Sequence, residues 1–432
     1  MTSQDQDAPS PPVDPDDIAM LAEEIGPRPP GSPQERRAVE LVQERLRAIG
    51  VPSATLPVRT ARRAAPVYTV LLALDALGVP LAFYSASFGF IVSLIALILL
   101  ALELATFPFL SRLGRDERSS NLLGIIPARS GTPEGQPRRL VIASAHLDTA
   151  RGVARHELGG QLYPLALAVL AAAVLTPLAL LLVALTGATV FRALAGLGFV
   201  VQGVAVVALA GQLARGRPSA GADDNASGVA ALLGAARGLE AERPEEVETW
   251  LLFTSGADDG RTGMVQFLSE NQFDPASTFF IDVDRVGGAQ LCFTRGEGLV
   301  APLHSAGRLT ALAEEAAAAH PEWAVGATVS RWPGNQFATL IRGYPAIAIT
   351  GCGIQRWRGA ADSVNTVAIE SVAQAAELVT GIIRRLDGGA QPGTTGAAEI
   401  WQPAPETAPP AEAETDAEAT SEEAMGERAT EQ

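Results

Sequence analysis

At 432 residues, 47% of them hydrophobic, and with a mean hydropathy of +0.19, the chain is more apolar than a water-soluble domain of its length requires, so membrane segments are expected to account for the surplus. Its net charge of −16 sits in two tails: residues 1–24 hold seven acidic and no basic groups, and residues 390–432 hold ten acidic groups and one arginine. The stretch between is formally neutral and carries no basic stripe interleaved with aromatics, which excludes a nucleic-acid-binding surface.

Both tails, 1–24 and 389–432, are rich in Pro, Ala, Asp or Glu and poor in aromatics, so they are expected to be disordered. The first 30 residues contain no apolar run of the kind a cleaved secretory signal needs. Cys292 and Cys352 are the only cysteines. Two thiols so far apart in sequence suggest neither a disulfide framework nor a zinc ribbon, and a reducing cytoplasmic setting is expected.

From residue 25 the pattern becomes regular. Ser32-Pro33-Gln34-Glu35 offers a capping serine, proline at the first helical position and glutamate at the third, predicting a helix that runs to about Ile49 and stops at Gly50. An almost unbroken apolar run, 66–110, has the length of two crossings, with spans near Val67–Phe88 and Gly89–Leu110. A second run, 162–211, breaks at Thr186-Gly187 and supplies two more. Arg62, Arg63, Arg112, Arg115 and Arg118 flank the first hairpin, and Arg151, Arg155, Arg215 and Arg217 the second, against Arg192 alone near a turn. That asymmetry places the ends of both hairpins, both termini and the body of the chain on the cytoplasmic side of a cell membrane. Asp75 and Glu103 are expected at similar depth, either as a facing pair that shares a proton or as neutral groups packed in a four-helix bundle.

Outside the hairpins, Leu122–Pro127, Leu140–Ser144, Thr249–Thr254, Thr278–Val283 and Ala346–Thr350 read as strands. They alternate with helices over Ala226–Leu239, Gly263–Asn271, Leu309–Ala319 and Ser371–Leu386, as in a mostly parallel sheet covered by helices. His146 follows the second strand directly, at the carboxyl end where open α/β sheets place their chemistry. Residues 149–161 reach at most about 43 Å, so this site lies within that distance of the bilayer.

GPRPPGSP before a helix, AHLDT (145–149), GADDNASGVA (221–230), a strand followed by ADDG (257–260), IDVDRVGG (281–288) and a late AADSV (360–364) together resemble the di-zinc exopeptidases of peptidase family twenty-eight, the bacterial aminopeptidase type. The resemblance covers residues 25–388 apart from the hairpins. It implies a three-layer α/β/α fold, a zinc-exopeptidase-like sheet of mostly parallel strands with four transmembrane helices inserted. It also implies hydrolysis that removes the amino-terminal residue of a peptide. By the same resemblance His146 binds one metal, Asp224 bridges to a second, Asp284 completes the first site and Asp148 orients His146 or braces the site.

Three features depart from the family pattern, one of them Trp332-Pro333-Gly334 in place of the family's SDH-like stretch at the substrate site. The family's Glu-Glu pair, a general base and a ligand of the second metal, is here Asp258-Asp259, each one methylene shorter. Its last histidine ligand is Arg358, which stays protonated and cannot bind a cation. One zinc ion is therefore expected, with Asp258, Asp148 and Arg358 as candidate catalytic groups and His146, Asp224, Asp284 and Asp259 as candidate ligands. Two readings stand side by side: a membrane-bound metallopeptidase acting on peptides or membrane-protein termini at the lipid surface, and an inactive peptidase-fold scaffold anchored in the membrane. A third, transport, rests only on Asp75 and Glu103.

Overall fold

The computed structural model describes residues 13–60, 65–111, 117–130, 139–149, 162–215, 219–257, 260–288, 290–352 and 362–388. The chain opens with a short helix α1 (Pro15–Ala19), capped by Asp14 and wound on to Ile25. This corrects the expected 1–24 tail: Val13, Ile18 and Leu21 are buried in the core, and Asp17 pairs with Arg45 and Arg237. Helix α2 (Pro33–Ile49) follows the capping pattern, with Ser32 accepting from Glu35 N and left-handed Gly50 ending it.

Strand β1 (Ser53–Thr60) leads into the first apolar hairpin, α3 (Ala65–Leu81) and α4 (Ala86–Leu104), and the chain returns as β2 (Glu117–Ile126). Strand β3 (Arg139–His146) precedes the second hairpin, α5 (Leu162–Thr186) and α6 (Thr189–Arg215), after which α7 (Gly228–Ala241) resumes the α/β alternation. The remainder is β4 (Val247–Thr254), α8 (Thr262–Glu270), β5 (Thr278–Asp284), β6 (Leu291–Glu297), β7 (Leu303–His304), α9 (Gly307–Ala318), β8 (Gly326–Ser330), α10 (Asn335–Leu340), β9 (Ala346–Gly351) and α11 (Ile369–Gly388).

The sheet runs β1-β2-β4-β3-β5-β9-β6-β7, with β8 beside β6. The inner strands β4, β3, β5 and β9 are parallel, while β1, β2 and β6 join antiparallel at the flanks. Side chains alternate across the sheet. Val141, Ala143 and Ala145 of β3, with Phe279, Ile281 and Val283 of β5, pack into the core beneath α2, α7 and α11. Ile142 and Phe280 face α8 and α10 with Phe267 and Ala338. By the same period Ser144 and His146, and Asp282 and Asp284, lie on that second face, which is how two strands deliver polar groups to one place.

Both hairpins leave from one edge. β1 is antiparallel to β2, which is antiparallel to β4, so β1 and β3 run the same way and each feeds a hairpin from its carboxyl end. Among the described residues, three helices are long and apolar enough to cross a membrane: Ala86–Leu104, Tyr163–Thr186 and Thr189–Gly211. The fourth, Pro66–Leu81, is shorter, so the expected first span to Phe88 ends seven residues early. Gly78 and Gly89 let α3 and α4 touch, since a Cβ on either would strike the other's carbonyl oxygen.

Asp75 and Glu103 do not face one another. Asp75 lies about 9 Å from the turn end of α3, whereas Glu103 is about 26 Å along α4. Asp75 is buried in the bundle and accepts from Ser93 Oγ, and Gln202 Nε2 donates to Thr176 Oγ1 nearby. Glu103 instead closes the chain end after α4, accepting from the amides of Phe109, Leu110 and Ser111 and from Ser111 Oγ.

Candidate metal centre

His146 ends β3 and Asp284 ends β5, two residues beyond the paired Ser144 and Asp282. Asp224 comes from the Ala222–Ser227 turn that opens α7. His146 Nδ1 lies 2.9 Å from the Asp148 carbonyl oxygen, which fixes the proton there and turns Nε2 inward as a lone pair. Nε2 is 3.0 Å from Asp224 Oδ1 and 3.4 Å from Asp284 Oδ1. One donor atom from each of the three residues lies within 4.8 Å of the others, so the group could hold a metal ion.

Three lone-pair donors facing each other in a buried site repel unless a cation sits among them. Burial alone would lower the His146 pKa, but hydrogen bonds to Asp148, Asp224 and Asp284 raise it well above its ordinary value. A metal ion replaces that proton, and an imidazole with two carboxylates suits zinc with an open position. Burial pushes Asp284 up, yet the Arg285 guanidinium and His146 outweigh it and hold the carboxyl below its usual range.

Asp148 touches both His146 and the neighbouring loop. Its carbonyl, not its carboxylate, takes the His146 proton, while Oδ1 accepts from Ala257 N at 3.1 Å and lies 3.6 Å from Nδ1. The carboxylate thus braces the loop beyond β4. Asp258, Asp259 and Arg358 lie outside the described residues. His156 does also, while His320 stacks on Trp323 and His304 sits in β7.

Several contributors carry no motif of their own. Arg28 is wholly buried and donates to the carbonyl oxygens of Leu21, Gly26, Leu147, Ala220 and Gly221, while its own amide donates to Thr149 Oγ1. It joins the loop after β3 to the loop before Asp224. Gly221, at φ +66°, lets them approach: a Cβ there would strike Thr149. Asp362 Oδ1 and Oδ2 accept from the amides of Asp223 and Asp224, and Asn225 binds Gly228 N and Arg285 N through Oδ1. Arg28 stands within GPRPPGSP, but nothing in that stretch marks the distant carbonyls it binds.

Arg285, at φ +56°, aims its Nη2 at Asp284 Oδ2, 2.7 Å away. It lines a cleft with His146, Asp224 and Asp284, and Trp332, Pro333, Gly334 and Asn335 line the same cleft. Beside them Glu297 accepts from Gly334 N, and burial together with Asp282 raises its pKa to about 8.

Cys292, in β6, and Cys352, just past β9, are joined as a disulfide with a Cα–Cα separation of 5.3 Å. This corrects the expectation from their spacing: β6 and β9 are neighbouring strands, and register rather than sequence distance brings the sulfurs together.

The fold is that of a zinc-exopeptidase-like α/β protein, and the site offers one group of residues that could hold a metal ion. Residues 203–379 match the family model of Peptidase family M28, in keeping with the resemblance carried by AHLDT and GADDNASG. Among solved structures, the fold is similar to BSAP, a zinc aminopeptidase from Bacillus subtilis, at 12% identity, TM-score 0.52 and coverage of 86% of this chain and 94% of that one. It is also similar to a Zn-dependent exopeptidase from Parabacteroides distasonis, at 16% identity, TM-score 0.51 and coverage of 86% and 98%. An aminopeptidase from Aneurinibacillus sp. strain AM-1 gives 12% identity, TM-score 0.52 and coverage of 86% and 94%. No curated protein matches the chain in sequence.

Proposed function

We propose that the chain is a membrane-bound exopeptidase that binds one zinc ion through His146, Asp224 and Asp284 and releases residues from peptide amino termini. The observation that carries this reading is the convergence of one imidazole nitrogen and two carboxylate oxygens within 4.8 Å at the carboxyl edge of the sheet. Zinc bound there supplies Lewis-acid polarisation of a carbonyl oxygen and a water of lowered pKa. The protein's own groups do the rest. Asp148 holds His146 in the required tautomer through its carbonyl oxygen, and Asn225 and Asp362 fix the backbone that presents Asp224.

Asp258 is proposed as the general base, Asp259 as a further ligand, and Arg358 as fixed positive charge that assists a developing oxyanion. The substrates are peptides or membrane-protein termini near the lipid surface, because both hairpins leave the sheet from the edge that carries the site.

The domain is proposed to face the cytoplasm, on nine flanking arginines against Arg192 at a turn. The Cys292–Cys352 pairing favours an oxidising compartment instead; in a reducing one the same sulfurs stand as neighbouring thiols.

One observation favours the scaffold reading: Arg285 already occupies Asp284 Oδ2 and brings positive charge beside the ligands. Hydrolysis of amino-acid anilides by the detergent-purified chain separates the two. Turnover that a chelator abolishes and zinc restores supports the peptidase. No turnover with any anilide, even after Asp258→Glu and Arg358→His, supports the scaffold.

A further inference from the structure

One wall of the cleft, Trp332 to Asn335, belongs to a continuous stretch that runs from Arg331 through α10 to Arg342. Its inner side is fixed to the peptidase-like body: Gly334 N donates to Glu297 Oε1 at 2.6 Å, Arg261 Nη1 to Pro333 O at 2.9 Å, and Asn335 Nδ2 to Thr254 Oγ1 at 3.1 Å. Its two flanks reach the membrane hairpins. Arg342 donates to Thr106 Oγ1 at 2.7 Å and to Thr106 O at 2.8 Å, and lies 5.2 Å over the Phe107 ring, just past α4. The same guanidinium turns back to Ala338 O at 2.7 Å, so it is locked to the last turn of α10. Arg331, on the other flank, lies 5.5 Å over the ring of Tyr163 at the start of α5.

Each hairpin therefore grips one end of the wall. We propose that the hairpins belong to the substrate-binding apparatus, with Arg342 and Arg331 as positioning residues that hold the wall, and that the site takes peptides whose amino terminus is presented at the lipid surface. This rests on the peptidase reading above.

The chemistry of the two arginines suits the task. A planar guanidinium bonds the hydroxyl and the carbonyl of one residue together while stacking on the next ring, which a lysine cannot do. Helix α10 is a stiff link of about 9 Å, so a shift at Arg342 arrives at Asn335, beside Asp282 and the metal ligands. A shifted wall weakens substrate binding more than chemistry, because the metal ligands sit on β3, β5 and the turn before α7 instead. Conversely, a wall clamped to residues at the membrane boundary is best placed when the bundle sits in lipid.

The test uses the full chain in nanodiscs. Amide exchange across residues 332–340 is expected to rise about tenfold in Arg342→Ala, with Arg342→Lys failing to restore protection, and to rise for 332–334 in Arg331→Ala. With zinc present, Arg342→Ala is expected to raise KM for a peptide with a lipidated carboxyl end about fivefold while kcat stays within about twofold. Unchanged exchange in both variants overturns the proposal. So does equal kcat/KM of the wild type on the lipidated peptide and its soluble counterpart. If Arg342→Ala does not fold, the exposed Arg331→Ala carries the same comparison. If the wild type cleaves no peptide at all, the peptidase reading falls, and the exchange result still decides whether the hairpins hold the wall.

Discussion

His146 Nε2 lies 3.0 Å from Asp224 Oδ1, although 78 residues and a whole apolar helical hairpin separate them in the chain. The hairpin is inserted into the crossover between β3 and α7, and the crossover survives because its two ends are tied together by Arg28, Gly221 and Thr149. An apolar helical hairpin is thus inserted between two of the three candidate metal ligands without parting them.

Arg28 is the first point of attack. Its guanidinium satisfies five carbonyl oxygens in a buried setting, and loss of hydrogen bonds to a charged group costs about 1.5–3 kcal/mol each before relaxation. Arg28→Ala is expected to lower stability by several kcal/mol, on the order of 3 or more, with Arg28→Lys recovering little. Chemical denaturation of the detergent-solubilised chain reads this directly, and a variant as stable as the wild type contradicts it.

Arg285 bears on metal affinity. Its positive charge sits 2.7 Å from the second oxygen of Asp284 and opposes a divalent ion beside it. Arg285→Gln is expected to bind zinc about tenfold more tightly, roughly 1.4 kcal/mol, in competition with a chromogenic chelator. Weaker binding in the variant would show that Arg285 serves mainly to orient Asp284.

Stability should depend on pH through Glu35. It is buried, accepts from Gly31 N, Ser119 Oγ and Ser255 Oγ, and burial with the nearby Asp148 raises its pKa from 4.5 to about 7. A carboxyl whose pKa is higher in the folded state contributes stability that is whole below pH 4.5 and is lost as the pH rises through about 7. The loss is on the order of 3 kcal/mol. The Tm is expected to fall between pH 5 and pH 7.5, and to fall less in Glu35→Gln; equal slopes in the two proteins contradict the assignment.

The cysteine pair decides the side of the membrane. Cells quenched in acid and alkylated under denaturing conditions are expected to yield free Cys292 and Cys352 thiols, as a cytoplasmic domain requires. Recovery of the disulfide would place the domain in an oxidising compartment and reverse the proposed orientation.

The inner strands β3, β4, β5 and β9 are legible in the sequence because burial on both faces writes them as continuous apolar runs, and the motifs mark the ends of two of them. β1 and β8 are not, because their residues are half exposed and their pairing, not their composition, makes them strands. α1 was hidden for a different reason. Asp17 reads as tail charge until Arg45 and Arg237, far along the chain, come within 2.7 and 3.1 Å of it. In the site, the convergence of His146, Asp224 and Asp284 was legible from the family resemblance, whereas Arg28, Glu297 and Arg285 act through contacts with other parts of the chain that no local pattern encodes.

The central claim is that His146, Asp224 and Asp284 share one divalent ion. Metal analysis of the detergent-purified chain, alongside His146→Ala, Asp224→Ala and Asp284→Ala variants checked for folding, tests it most directly. About one zinc per chain in the wild type, lost in each variant, is the expected result. A wild type that binds no metal, or folded variants that keep it, would contradict the account.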